Sequence, residues 1–136
     1  MMGADMLRAA ICGAGHWGTR LIESVQGRSA KIRFVAAVTR DPAALEPLGK
    51  RFGLALSARY ADVLADPAID AVVLATPHSH HAAEIAAAAQ ARKHVFVEKP
   101  FTLTRASAES AIEACRAAAI TLAVGFNRRY APAYAD

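Results

Sequence analysis

The sequence predicts a three-layer α/β fold, in which a doubly wound, mostly parallel sheet is covered by helices on both faces. Short apolar segments alternate along the chain with longer helical ones, as expected for strands joined by crossover helices. Ala supplies 34 of the 136 residues, and such small side chains let helices pack closely on a sheet. The length is typical of one domain, so we expect a single domain over residues 1–136.

Each predicted strand is a short run of apolar or β-branched residues. The strands are expected at residues 7–12, 32–38, 71–75, 95–97 and 121–124. Helices are expected between them, at residues 17–25, 42–52, 61–64, 79–91 and 104–119. Asp41 and Pro42 form a typical helix start, Gly53 a typical stop, and Thr104 an N-cap for the last helix. Strands alternating with helices in this way predict right-handed crossovers and parallel pairing.

Composition and charge argue against several classes of partner. The formal net charge is +4, but the basic residues are scattered and form no long tract, so we expect no nucleic-acid binding. No apolar run reaches the roughly 18 to 20 residues that span a bilayer, and the first residues do not resemble a signal peptide. Cys12 and Cys115 have no CxxC spacing and no His partner. We therefore expect reduced cysteines and a cytoplasmic protein, without a membrane partner.

A glycine-rich loop follows the first strand and opens the first helix. The segment Gly13-Ala14-Gly15-His16-Trp17-Gly18 matches GxGxxG in the βαβ context of a dinucleotide-binding Rossmann fold. In that fold the first glycine permits the turn, the second admits a pyrophosphate, and the third lets the helix pack on the strand. The alternatives are a purely structural turn and a related loop that binds S-adenosylmethionine.

The end of the second strand predicts the choice of cofactor. Many NAD-binding folds place a carboxylate there for the adenosine ribose. This chain has Thr39 and Arg40, which avoid repulsion of a 2'-phosphate and offer it a cation. We therefore expect NADP to be preferred, with NAD as the alternative. Asp41 could instead accept the ribose hydroxyls, but the proline behind it favours helix capping.

Three further polar loops follow the third, fourth and fifth strands, at the edge where ligands bind in doubly wound sheets. His78, His80 and His81 lack Cys, Asp or Glu at ligand spacing, so we expect no metal site. Lys99, at the end of a buried strand, could hold a developing oxyanion or relay a proton. The alternative for Glu98 and Lys99 is an ion pair in a surface turn. Cofactor-contacting candidates from these loops are Ala75, Thr76, Pro77, His78, His81, Glu98, Lys99, Pro100, Asn127 and Arg129.

Four segments together resemble the amino-terminal Rossmann domain of the Gfo/Idh/MocA family, named for glucose-fructose oxidoreductase, inositol dehydrogenase and rhizopine catabolism. They are GAGHWG, TPHSHHAAEIAAAA, VFVEKPFTLT and VGFNRRYAPAY. The resemblance implies NAD(P) beside the glycine loop, with His16 and Trp17 in that loop, and Thr39 and Arg40 near the adenosine. It also implies that Thr76, Pro77 and His81 lie along the cofactor, that Glu98 lies near the nicotinamide, and that Lys99 lies at the reaction centre as a catalytic residue.

The resemblance further implies a second domain that supplies most of the substrate pocket and a catalytic His. The chain ends soon after Pro132, where that domain would begin, so we expect it to be absent from this chain. The leading hypothesis is the cofactor domain of an oxidoreductase that transfers hydride to or from a sugar, cyclitol or similar polyol. The alternative is a truncated dinucleotide-binding module without catalysis of its own. A homo-oligomer is left open.

Overall fold

A computed structural model describes residues 5–134 of the chain as strands and helices in alternation. The strands are β1 (Leu7–Cys12), β2 (Ile32–Val38), β3 (Ala55–Ser57), β4 (Ala71–Leu74), β5 (His94–Glu98) and β6 (Leu122–Gly125). The α-helices are α1 (His16–Val25), α2 (Pro42–Phe52), α3 (Tyr60–Ala65), α4 (His81–Gln90) and α5 (Arg105–Ala117). Short 3-10 turns cover His78–His80, Asn127–Tyr130 and Pro132–Tyr134.

The six strands form one sheet in the order β3-β2-β1-β4-β5-β6, and every pairing is parallel. The chain runs outward from β1 to β3, then crosses back to β4 on the other side of β1. The winding direction therefore reverses between β1 and β4, which is the switch point of a doubly wound sheet. The predicted fold class is confirmed.

Two hydrophobic clusters, one on each face of the sheet, make up the core. Successive residues of β1 alternate between them, because side chains of a strand point to opposite faces. Ala9 and Ile11 pack with Ile22 of α1, whereas Ala10 and Cys12 pack with Ile85 of α4. The helices thus form two outer layers, and small residues of α4 are buried among them, in accord with the close packing expected from the Ala content.

The predicted helix signals are confirmed at both ends of α2 and at the start of α5. The Asp41 carboxylate accepts a hydrogen bond from the Ala44 backbone N–H at 3.2 Å, as an N-cap does. Gly53 ends α2 in the left-handed conformation, with φ of 68°. Thr104 and Ser107 cap each other reciprocally at the start of α5.

The structure differs from the sequence prediction at one strand and at several boundaries. β3 was not predicted, because it is three residues long, lies at the sheet edge and pairs only with β2. Strand β4 ends at Leu74, one residue before the predicted end. Helix α4 begins at His81, because the preceding residues form a 3-10 turn instead of its first turn. Helix α5 ends at Ala117, two residues before the predicted end.

No helix among residues 5–134 combines the length and the apolar character that crossing a bilayer requires.

Candidate functional site

The turn from β1 into α1 needs glycine at two of its positions for different reasons. Gly13 adopts a φ of 86°, a conformation that other residues rarely tolerate. A methyl group there would also lie 2.7 Å from the carbonyl carbon and oxygen of Ala75. At Gly18, a methyl group would collide with the backbone carbonyl oxygen of Gly13. These two glycines bring α1 and the end of β4 against the turn.

Gly15 differs from both, because a methyl group there would meet no protein atom within 4 Å. Gly15 is the N-cap of α1, no side chain caps this end of the helix, and its first turn contains no acidic residue. The first N–H groups of a helix have no partner within it, and the helix dipole makes this end attractive to anions. The open space over Gly15 therefore faces backbone donors suited to a phosphate.

A cleft of about 340 Å³ opens beside this turn, at the carboxyl edge of the sheet. It is built from the loops that follow β1, β4, β5 and β6, so four separate parts of the sequence meet there. Its lining residues were all among the candidate site residues, and they are Trp17, Ala75, Thr76, Glu98, Lys99 and Asn127. The structure thus brings together the glycine loop and one or more residues from each polar loop.

Lys99 stands at the cleft with an exposed side chain. Among the ion pairs formed within residues 5–134, none includes Lys99 or Glu98. The alternative interpretation, a surface ion pair between these two residues, is therefore wrong. The Lys99-Pro100 peptide bond is cis. The ammonium group is available to a ligand in the cleft.

Glu98 lies against the neighbouring strand, where Gly125 leaves room for it. The two residues are paired across β5 and β6. A methyl group on Gly125 would lie 3.0 Å from Oε1 of Glu98 and 2.9 Å from Cζ of Phe96. A glycine at this position therefore lets the Glu98 carboxylate fold over β6 next to the cleft.

His81 was expected to lie along the cofactor, but its side chain is only 1% exposed and does not line the cleft. Nδ1 lies 2.9 Å from the carbonyl oxygen of Pro100 and 3.1 Å from that of Phe101, and Nε2 lies 3.0 Å from that of Thr76. The ring is turned inward and lies among these three carbonyl oxygens, and a ring nitrogen that carries hydrogen donates to the carbonyl group that it faces. The expectation that the His81 ring lies along the cofactor is therefore corrected: the ring lies behind the residues that line the cleft.

Glu84, on α4, was not among the candidate residues, yet it contacts the cleft wall from behind. Thr76 donates its hydroxyl hydrogen to Oε2 of Glu84 at 2.5 Å, and Tyr60 donates to the backbone carbonyl oxygen of Glu84 at 2.9 Å. The Glu84 side chain is 15% exposed. A carboxylate three residues past the first helical residue is common at helix starts, so the sequence alone carried no signal for this contact.

The buried groups behind the cleft are held in their neutral forms. Burial, followed by the charge of Glu84, raises the pKa of the Cys12 thiol. Burial is also the main cause that raises the pKa of Tyr60, with smaller contributions from Cys12 and Glu84. The raised pKa keeps the Cys12 thiol protonated. Since only a thiolate is nucleophilic, Cys12 is an unreactive core thiol.

The end of β2 lies at the same sheet edge, next to the end of β3. The Thr39 N–H donates to the carbonyl oxygen of Ser57 at 3.0 Å, which holds the two loops side by side. Arg40 is exposed and takes part in none of the ion pairs formed by residues 5–134. Asp41 uses its carboxylate to cap α2. Arg40 is therefore the charged side chain of this segment that faces solvent unpaired.

The remaining candidates lie near the cleft but do not line it. His16 is exposed at the start of α1, Pro77 and His78 are exposed on the loop after β4, and Pro100 follows Lys99. Arg129 is exposed in the 3-10 turn after β6. Within the described part of the chain, no three His, Cys, Asp or Glu side chains come together as metal ligands would.

Taken as a set, these residues fit a dinucleotide. The uncapped start of α1 and the space over Gly15 suit a pyrophosphate, and the cleft beside them is lined by residues from Trp17 to Asn127. Ligands of open α/β sheets bind at this switch point, outside the carboxyl ends of the strands.

Comparisons with known proteins point to the same ligand class. Residues 7–126 match the GFO_IDH_MocA family, described as an oxidoreductase family with an NAD-binding Rossmann fold. The scyllo-inositol 2-dehydrogenase (NAD(+)) of Bacillus subtilis (strain 168) is 38% identical over 135 residues, which are 96% of this chain and 38% of that protein. The D-xylose 1-dehydrogenase (NADP(+)) of Hypocrea jecorina is 41% identical over 73 residues, 54% of this chain and 19% of that protein.

Among solved structures, the chain is similar to scyllo-inositol dehydrogenase from Lactobacillus casei with bound NAD(H) and scyllo-inositol. The TM-score is 0.88 at 27% identity, covering 96% of this chain and 39% of that one. The chain thus spans about two fifths of the length of these inositol dehydrogenases. The match over residues 7–126 agrees with the glycine turn and the strand order. The chain therefore belongs to the GFO_IDH_MocA family of oxidoreductases with an NAD-binding Rossmann fold.

Proposed function

We propose that this chain binds NADP in preference to NAD and is the cofactor-binding part of an oxidoreductase that acts on a sugar, cyclitol or similar polyol. The observation that carries the proposal is the single cleft shared by the glycine loop and the loops after β4, β5 and β6. The similar inositol and xylose dehydrogenases support the polyol class of substrate.

The binding roles follow from the chemistry of each part of the edge. The backbone N–H groups at the start of α1 hold the pyrophosphate over Gly15, with Gly13 and Gly18 shaping the turn. Arg40 pairs with the 2'-phosphate and covers the adenine. Thr76 and Asn127 line the part of the cleft that takes the nicotinamide ribose and ring. Neighbouring candidates, namely His16, Pro77, His78, Pro100 and Arg129, complete the rim.

Lys99 is proposed as the catalytic residue of this chain. When bound, the nicotinamide supplies the hydride chemistry. Lys99 would stand beside it, within reach of the oxygen on the reacting carbon. In the oxidation direction the neutral amine of Lys99 would accept the hydroxyl proton as hydride leaves the carbinol carbon. In the reduction direction the Lys99 ammonium group would donate a hydrogen bond to the carbonyl oxygen, stabilise its developing negative charge and return the proton. Glu98, held over Gly125, completes the polar wall on the nicotinamide side.

Residues 1–136 are proposed to be one dinucleotide-binding domain. The relatives are more than twice as long as the segment matched here, and we propose that the substrate pocket requires a second domain of the kind that this extra length provides. Catalysis depends on binding the transition state more tightly than the substrate, and the cofactor cleft of residues 5–134 would supply only part of that binding. The alternative is a dinucleotide-binding module without catalysis of its own.

Titration of the 136-residue chain with NADPH and NADH tests the binding proposal, with cofactor fluorescence and Trp17 quenching as readouts. We expect saturable binding of both cofactors and a lower Kd for NADPH. Absence of saturable binding of either cofactor would overturn the proposal, and a lower Kd for NADH would overturn the NADP preference alone.

Incubation with NADP and a panel of inositols and aldoses, followed by absorbance of the reduced cofactor, separates the two functions. Turnover that is lost in Lys99→Ala while NADPH still binds supports the enzyme. Saturable binding without turnover supports the module. Turnover that persists in Lys99→Ala would remove Lys99 from the catalytic role.

We also propose a cytoplasmic location, on the chemistry of the cysteines. Cys12 and Cys115 are both free and buried, and each belongs to the core, where it stays reduced.

A further inference from the structure

His81 connects two loops of the cleft through a ring that the ligand cannot reach. The ring faces the carbonyl oxygen of Thr76 on one side and those of Pro100 and Phe101 on the other, all within 3.1 Å. Thr76 belongs to the loop after β4, and Pro100 follows Lys99 on the loop after β5. One side chain therefore spans the gap between two neighbouring loops that both contribute to the cleft.

The same turn of α4 holds Thr76 a second time. Glu84 lies three residues after His81 on this helix and accepts the Thr76 hydroxyl hydrogen. Thr76 is thus fixed by its backbone carbonyl through His81 and by its side chain through Glu84. In contrast, no hydrogen bond within residues 5–134 joins the Lys99 side chain to the ring, so we expect the ring to influence that residue through the backbone of Pro100 and Phe101.

We propose that His81 is a positioning residue for the cofactor cleft, which sets the separation between Thr76 and Lys99 by joining the loops after β4 and β5. The proposal rests on the proposed function insofar as the cleft is a dinucleotide site. Because the ring is 1% exposed, it acts without touching the ligand. An apolar side chain of similar volume could not replace it, because the carbonyl oxygens to which the ring donates would lose their partner. A neutral ring has one N–H and donates to one loop, whereas a ring with hydrogen on both nitrogens donates to both loops.

The test compares His81→Leu and His81→Gln with a control on the same helix, Ile85→Ala. Ile85 is fully buried in the core and makes no hydrogen bond to either loop through its side chain. Its truncation lowers stability through packing alone. All measurements are made at a temperature where thermal melts show each variant to be folded.

The first readout needs no ligand. Amide hydrogen exchange followed by NMR should accelerate in the loops around Thr76 and Phe101 in His81→Leu, relative to the core strands, and less so in His81→Gln, whose amide can still donate to one loop. Ile85→Ala should change exchange across the core without this local excess. Equal effects in both loops for His81→Leu and Ile85→Ala would overturn the proposal.

The second readout is the Kd for NADPH. We expect it to rise on the order of tenfold in His81→Leu, the effect of losing one or two hydrogen bonds, and to be partly restored in His81→Gln. Ile85→Ala should leave it unchanged. If exchange accelerates in the two loops but the chain binds no dinucleotide, the proposed function is refuted, while the role of His81 in joining the loops is supported. Unchanged affinity in a His81→Leu chain that binds would overturn the positioning role.

Discussion

Gly13 and Ala75 touch across the switch point of the sheet. The Ala75 N–H donates to the carbonyl oxygen of Cys12 at 2.8 Å, and the α-carbon of Gly13 leaves no space for a methyl group beside the Ala75 carbonyl group. The end of β1 and the end of β4 are thereby held together where the winding reverses. This contact also shapes the cleft, because Ala75 is one of the residues that line the cleft.

Replacing Gly13 by Ala should destabilise the protein through both strain and collision. The positive φ costs about 1 kcal/mol for a residue with a Cβ, and crowding against Ala75 adds about 1–3 kcal/mol. Gly27→Ala is the matched control, because Gly27 has a φ of 72° and no neighbour within 4 Å of the added methyl group. Urea unfolding measures both. Equal losses in the two variants would show that the contact with Ala75 is not the reason for Gly13.

The glycine loop could be predicted from the sequence because its requirements belong to the glycines themselves. The positive φ at Gly13 and the close approach of Gly18 to the Gly13 carbonyl oxygen both disfavour residues with a Cβ. These two requirements are visible in the sequence as the GxGxxG pattern. The order of the loops along the sheet edge followed in turn from the alternation of strands and helices.

The contacts behind the cleft could not be predicted in the same way. His81 is surrounded by backbone carbonyl groups, and one pair of them lies 19 and 20 residues away in the chain. Every residue type has a backbone carbonyl group, so the sequence does not show which of them will surround a side chain. The ring was therefore expected to lie along the cofactor. The β3 strand was missed for a related reason: three residues at an edge need only one partner and show no clear alternation.

Gly15→Ala should weaken dinucleotide binding without weakening the fold. Gly15 has a φ of −78°, which any residue adopts, and the added methyl group meets no protein atom. The group would occupy the space over the start of α1 that we assign to the pyrophosphate. We expect unchanged urea unfolding and a Kd for NADPH raised by roughly tenfold or more, the effect of losing about 1.4 kcal/mol. Unchanged affinity would place the phosphates elsewhere.

Acid should weaken the fold through Asp70, at the opposite edge of the sheet. The hydrogen bonds from the Arg8 side chain, followed by that from the Arg8 backbone N–H, lower the pKa of the Asp70 carboxyl below its ordinary 3.8. A lowered folded pKa contributes stability that is present above the ordinary value and lost as pH falls through the folded one. Asp70→Asn should therefore flatten the fall in stability below about pH 4.

Urea unfolding at a series of pH values between 7 and 2.5 measures this dependence. Arg8→Gln should flatten the same part of the curve, because the lowered pKa of Asp70 needs the guanidinium group. An unaltered acid limb in both variants would show that other carboxylates account for the loss of stability.

Arg40→Ala should change the choice between cofactors. A guanidinium group paired with a 2'-phosphate contributes about 1.5–3 kcal/mol, so the Kd for NADPH should rise by roughly tenfold to a hundredfold while that for NADH changes little. Arg33→Ala is the control, because Arg33 is exposed near the amino end of the same strand and its loss changes the net charge equally. Equal weakening by both substitutions would indicate a general charge effect.

Asp41→Ala distinguishes helix capping from contact with the adenosine ribose. The Asp41 carboxylate accepts the Ala44 N–H at 3.2 Å, so its removal should cost about 1 kcal/mol of stability, much as Thr104→Ala should at the start of α5. Because the carboxylate is engaged at the helix, the Kd for NADH should stay within a factor of about two, well under the tenfold that 1.4 kcal/mol represents. Parallel urea unfolding and NADH titrations measure the two effects. A large loss of NADH affinity in Asp41→Ala, absent in Thr104→Ala, would assign the ribose to Asp41 and remove the argument that Thr39 and Arg40 favour NADP.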